Sequence, residues 1–235
     1  GGVVKGSIYA LIALGYTMVY GIIQLINFAH GEVYMIGAFV AFIVAGIMTL
    51  TGYSGMSVLV LAAIVAVIYA AAYGYTLEKI AYRPLRKAPR LSPLISAIGA
   101  SIFLMNYVQL AQTPDFLPFP ELVTDFEFLE PISRYMSSVD VVILAVTAVT
   151  MTALTVLIKY TKIGKAMRAT QQDQVMARLV GINVDRVISA TFIIGSVLAA
   201  IAGVLIASRT GQINSAIGFM AGLKAFTAAV LGGIG

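Results

Sequence analysis

Six long uncharged stretches run along this chain, and a seventh apolar stretch begins near Ile217. The uncharged runs are Gly6 to Ala29, Val33 to Leu50, Met56 to Leu77, Leu94 to Ala111, Val141 to Ile158 and Ile188 to Ser208. A helix needs about 20 apolar residues to cross a bilayer's hydrocarbon core, and its backbone groups must find partners within the segment. The pattern therefore predicts an all-α, polytopic transmembrane helix bundle of about seven spans. The period-two alternation of a membrane β-barrel strand is absent. Thr51–Gly55 reads as a short turn between the second and third spans.

Composition sharpens this picture by exclusion. Of 235 residues, 60% are hydrophobic and 11% charged, against about 25% charged in a soluble domain. The mean hydropathy is +0.96. A soluble domain of this size has too much wet surface to leave so much apolar side chain uncovered. A soluble enzyme, a disordered chain and a nucleic-acid-binding domain are excluded. The net charge of +5 reads as a signal for orientation in the membrane. With no Cys, disulfides and thiolate metal sites are excluded, and the single His cannot build a multi-histidine metal site. The chain begins Gly1-Gly2 without Met and stops inside an apolar run, so it is expected to be a piece of a longer membrane protein, cut at both ends.

The loops orient the spans. Lys79, Arg83, Arg86, Lys87 and Arg90 lie between the third and fourth spans. Asp115, Glu121, Asp125, Glu127 and Glu130, offset by Arg134 alone, lie between the fourth and fifth. Lys159, Lys162, Lys165, Arg168, Arg178 and Arg186, against Asp173 and Asp185, lie between the fifth and sixth. The positive-inside rule places the two basic loops in the cytoplasm and the acidic, Pro-rich loop of residues 112–140 outside. One transmembrane domain over 1–235 is expected.

Three segments carry candidate chemistry. Gln24 to Glu32 sets an amide, the His and a carboxylate between two apolar runs, with Gly31 between His30 and Glu32. Two readings stay open. It is either a capped interfacial turn, with Glu32 favoured by charge at the start of a helix, or a discontinuous helix near residues 24–33. In the second case Asn27, His30, Gly31 and Glu32 line a substrate path. In the second segment, Val175, Met176, Leu179 and Val180 fall at helical spacing within the loop of residues 159–187, and Gly181 suits a helix stop. This short amphipathic helix either rests on the membrane surface or docks a cytoplasmic partner. The third signal is packing. Gly195, Ala199, Gly203 and Ala207 recur every four residues on the sixth span, as do Gly37, Ala41 and Ala45 on the second, so those helices should approach closely. Lys5, Arg209 and Lys224 are expected to snorkel from span ends.

Other chemistry is missing. Gly164-Lys165 lacks the upstream Gly and the Ser/Thr of a phosphate-binding loop. One His gives no nucleophile–base–acid set. There is no Arg ladder of a voltage sensor and no potassium-channel filter. An intrinsic enzyme is not expected.

Several stretches, in order, resemble the LivH-type permeases of bacterial branched-chain amino acid ABC transporters. They are Gly15–Ile22, Leu25–Glu32, Ala81–Arg86, Ile95–Gly99, Leu179–Val187 and Lys224–Gly235. The resemblance implies a multi-pass protein of the bacterial cytoplasmic (inner) membrane. Its partners would be a second homologous permease subunit, two cytoplasmic ATPase subunits and a periplasmic or extracellular substrate-binding protein. No cofactor would sit on this chain, because ATP and Mg²⁺ belong to the ATPases. The 159–187 loop would hold the coupling helix, with Arg168, Asp173, Ala177, Arg178, Gly181 and Ile182 as coupling residues. Ala177-x-x-x-Gly181 matches the core of the importer docking loop, whereas Val175-Met176 stand where Glu-Ala would. In related sugar permeases the stretch equivalent to Asn27–Glu32 lines the path. Loop 112–140 would receive the binding protein. The cargo would be Leu, Ile or Val, with urea or short amides as the same-family alternative. A secondary transporter or channel with a Glu32/His30 proton relay is the alternative from another class, and a structural membrane scaffold is disfavoured by the polar break.

Overall fold

The computed structural model describes residues 2–86, 88–89, 91–124 and 136–233. Lys87, Arg90, Asp125, Glu127, Glu130 and Arg134, named above in the loops, lie outside the described residues, as does the Ile234–Gly235 end of the last matching stretch. Helices α1 (Gly2–Ile23), α2 (His30–Leu50), α3 (Met56–Leu77), α4 (Leu91–Ala111), α5 (Ser138–Tyr160) and α8 (Val184–Thr210) are long and apolar enough to cross a membrane. The seventh apolar stretch folds as a 15-residue helix, α9 (Ile217–Leu231). At 1.5 Å per residue it is shorter than the hydrocarbon core is thick. Two short helices, α6 (Lys162–Gln172) and α7 (Gln174–Leu179), join α5 to α8.

Helix ends are punctuated differently along the chain. From α5 to α8 each start has a side-chain cap: Ser137, Thr161, Asp173 and Asn183 accept from backbone N–H groups of the following turn. Such caps satisfy donors that the helix leaves orphaned. Helix α2 starts without one. Helix α3 runs on through a π-helical turn, Glu78–Tyr82, and a 3₁₀ turn, Arg83–Leu85.

Helix α8 is the hub, packed by α1, α2 and α3, while α9 lies on α1 and α2. Gly195, Ala199 and Gly203 are all buried, as are Gly37, Ala41 and Ala45. A Cβ on Gly203 would collide with the Tyr34 carbonyl of α2. Helices α4 and α5 sit at the periphery and leave Ile95, Phe103, Leu110 and Val149 exposed. Such apolar outer faces suit lipid.

The two ends of the bundle differ in charge. At one end, Arg83 and Arg86 pair with Asp185 at 3.2 and 2.6 Å, and α6–α7 packs near the end of α1. At the other, β1 (Leu117–Pro118) pairs antiparallel with β2 (Gln212–Ile213), joining the loop after α4 to the end of α8. The basic end is the cytoplasmic one by the positive-inside rule. Arg209 departs from the snorkelling expected of it: its Nε donates to Asp140 Oδ1 at 2.8 Å, and both side chains are largely buried. The sequence places these partners 69 residues apart, so only the fold brings them together. Lys5 and Lys224 are exposed.

The contact between α2 and α8 is testable through glycines. Gly203→Ala should cost about 1–3 kcal/mol in detergent unfolding, because the added methyl must displace backbone. Gly46→Ala on the same α2, where a Cβ meets nothing within 4 Å, should be neutral or stabilising. Equal effects at the two sites would contradict the packing described.

Candidate functional site

The helix break expected near residues 24–33 is an unwound stretch, Gln24–Ala29, between α1 and α2. Gln24 has φ +53 and ends α1, its N–H donating to the Tyr20 carbonyl at 2.7 Å. The chain then turns back along α1. His30 lies against Gly15, eight residues before the end of α1, or about 12 Å along its axis. Helix α2 therefore starts inside the bundle, and its first ten residues, His30 to Phe39, are all buried. Gly31, inside the 24–33 stretch of the expected break, lies in the first turn of α2. Its place there is explained by α9, because a Cβ on Gly31 would collide with the Gly218 carbonyl.

The unwound stretch is held by side chains from other elements. The Tyr82 hydroxyl, at the end of α3, donates to Asn27 Oδ1 at 2.7 Å. Tyr82 is itself buried against Phe192 of α8, ring centroids 5.1 Å apart. His30 is buried edge-on to Tyr16 at 4.7 Å. No hydrogen bond joins His30 to Glu32 among the described residues.

Of the four expected path residues, Glu32 borders a cavity; Asn27, His30 and Gly31 stand behind it. The cavity measures about 520 Å³ and lies between α1, α2, α4 and α9. Its walls include Tyr16, Ser101, Met105, Leu223 and Phe226 beside Glu32. The Ser101 hydroxyl donates to Glu32 Oε1 at 3.0 Å. Glu32 is 1% exposed, and its Oε2, packed beside Gly218, has no hydrogen-bond partner among the described residues. A buried carboxylate with an empty oxygen is costly. Its place in the first turn of α2 offsets part of that cost, because helix N-termini favour negative charge. An apolar chamber with one carboxylate and one hydroxyl suits a small solute that is part aliphatic and part polar.

At the cytoplasmic end, α7 presents a second candidate surface. Asp173 accepts from the N–H groups of Val175 and Met176 at 2.7 and 3.0 Å, and Gly181, with φ +85, follows the helix. Ala177 is buried and Ile182 half-buried. Val175, Met176, Leu179 and Val180 are 60–75% exposed. Arg178 and Gly181 are exposed too, whereas Arg168 donates to the Ile158 carbonyl at the end of α5. The outward apolar face thus consists of residues left out of the coupling set, while Asp173 and Ala177 shape the helix from within. A run of exposed apolar side chains rimmed by charge marks a contact surface.

Sequence reading missed Tyr16, Ser101 and Tyr82, which carry no local signal because they act only through distant partners. It also missed a cluster in which buried Glu78 pairs with Arg86 and accepts from Ser189 at 2.7 Å. A carboxylate at the very end of an apolar run was the available signal there.

Residues 1–235 match the model of a family described as branched-chain amino acid transport system / permease component. The chain is 52% identical over 238 residues to the high-affinity branched-chain amino acid transport system permease protein LivH of Escherichia coli K12, covering all of this chain and 77% of that protein. It is 50% identical to the corresponding permease protein BraD of Pseudomonas aeruginosa, covering 78% of it. A 73-residue stretch, 31% of this chain, is 40% identical to part of the xylose transport system permease protein XylH of E. coli K12. No solved structure matches.

The strain at Glu32 is measurable. Glu32→Met, of similar length and without the unpaired oxygen, should raise the stability of the purified chain by about 1 kcal/mol. A loss of stability would mean that the carboxylate is satisfied in a way the geometry does not provide.

Proposed function

The chain belongs to the branched-chain amino acid transport permease family, and from that premise we propose that it is the translocation subunit of an ATP-driven, binding-protein-dependent importer of leucine, isoleucine and valine. It is a multi-pass protein of the bacterial inner membrane. The observation that carries the reading is identity along the whole chain to permeases named for that cargo. The chain works as a single permease domain over 1–235. It pairs with a second homologous permease subunit, two cytoplasmic ATPases that hold ATP and Mg²⁺, and an external substrate-binding protein. It is not itself an enzyme.

The geometry supports each role in turn. The cavity beside Glu32 offers aliphatic and aromatic walls to the side chain of a branched amino acid, with Glu32 and Ser101 at a polar corner. Asn27, His30 and Gly31 hold the start of α2 so that Glu32 stays at that wall. The exposed face of α7 suits a groove on an ATPase, as amphipathic helices dock through their apolar side. Arg178 and Gly181 lie on its rim. The outward loop of residues 112–140, with exposed Glu121, suits a basic patch on the binding protein, which its charge would steer.

Reconstitution in liposomes with the partner subunits and binding protein is the test. Leucine, isoleucine and valine should stimulate ATP hydrolysis and enter the vesicles. Leu179→Glu, which puts a charge on the docking face, should abolish the stimulation. Glu32→Met should leave the complex assembled and drop uptake to background. Stimulation by urea alone would overturn the cargo, and uptake driven by an ion gradient without ATP would overturn the class.

A further inference from the structure

The inner end of α1 is capped by a residue from the cytoplasmic loop. The last carbonyls of a helix lack partners within it. The Gln174 Nε2 donates to one of them, Ile22 O, at 2.7 Å across 152 residues of sequence. One residue earlier, the side-chain amide of Gln171 lies against Gly21, 3.1 Å from where a Cβ would stand. Immediately after Ile22 and Ile23 the chain unwinds at Gln24. The only tie between α7 and α1 by side-chain hydrogen bond, among the described residues, therefore sits at the edge of the break.

Helix α7 has two working sides. Gln174 and Ala177 are three residues apart and lie on one face of the helix. Ala177 is buried in a cluster with Val19 and Ile22 of α1, Met167 of α6, Tyr82 and Phe192. Val175, Met176, Leu179 and Val180 point away. Tyr82, in the same cluster, holds Asn27 of the unwound stretch. One side of α7 is thus free to meet a partner, while the other caps α1 just before the break and packs in the cluster whose Tyr82 holds Asn27.

We propose that Gln174 is the positioning residue through which movement of α7 reaches the break at Gln24–Ala29, so that a push on the docking face becomes a shift in the start of α2. This rests on the importer reading given above. The unwound stretch supplies the hinge, since non-helical residues absorb dihedral change at little cost. The Gln174 bond supplies the handle. Without it, α7 moves against α1 and leaves the break where it was.

Two substitutions separate a handle from a scaffold. Gln174→Met keeps the length and removes the donor; Gln174→Lys keeps a donor. In liposomes holding the whole transporter, ATP hydrolysed per leucine imported should rise about fivefold in Gln174→Met, the worth of one ordinary hydrogen bond. Association with the ATPase subunits should be retained, and Gln174→Lys should restore most of the coupling. An unchanged ratio in Gln174→Met would overturn the proposal, and so would loss of ATPase association together with uptake. Hydrogen exchange gives a readout independent of cargo. The amides of residues 21–29 should exchange faster in Gln174→Met than in the parent chain, and unchanged exchange would overturn the proposal even if leucine proved not to be the cargo. Failure of the parent complex to import leucine, with exchange altered as expected, would overturn the importer reading and leave the contact standing.

Discussion

A backbone that unwinds inside a membrane bundle must find partners for every N–H and C=O it frees, because lipid offers none. Gln24–Ala29 is such a stretch, met by hydrogen bonds within its own turn and steadied by side chains from α3 and the cytoplasmic loop on either side. Within the break the Asn27 and Ala29 carbonyls accept from the N–H groups of His30, Glu32 and Val33 at 3.1–3.2 Å, Tyr82 holds the Asn27 side chain, and Gln174 caps the Ile22 carbonyl just before the break. The start of α2 is buried along ten consecutive residues because it begins within the bundle and not at its surface. Close approach of backbone on both sides, Gly15 beside His30 and Gly218 beside Gly31, gives this buried start its room.

That arrangement explains why polar groups sit where they do. Glu32 is tolerated in an apolar chamber because it opens a helix and accepts from Ser101, and its unpaired oxygen marks a site kept at the expense of stability. Sites of this kind recur where function needs a group that folding does not. The charged cluster of Glu78, Arg86, Asp185 and Arg83 closes the cytoplasmic end between α3 and α8. It lies next to Tyr82, so the same end of α3 both carries the cluster and holds the break.

Most of the architecture was legible in the sequence because a bilayer imposes a length and a polarity on each span. The six spanning helices follow the uncharged runs, and the basic and acidic loops fall at opposite ends. The break was legible as a polar interruption, but its boundaries were not. Gly31 reads as a helix breaker in isolation, whereas its role is to admit α9. The coupling loop shows the same limit. Its apolar spacing was visible, yet which residues face outward depends on α7 packing Ala177 inward, and that is a property of the bundle. Arg209 reads as a lone interfacial cation until the fold delivers Asp140. Ser101 and Gln174 carry no local pattern at all, since each matters only through a partner far away in sequence.

We propose that the chamber beside Glu32 is the substrate path and that ATP binding on the partner subunits turns its opening from one side of the membrane to the other. Because the chain contains no Cys, Ser101→Cys places its only thiol at the wall of that chamber. The direct measurement is the rate at which a membrane-impermeant thiol reagent modifies this residue, from each side of the bilayer, in the assembled transporter with and without trapped ATP. Trapping ATP should reverse the side from which the thiol reacts. Equal protection from both sides in both states, or reaction from one side regardless of ATP, would contradict it.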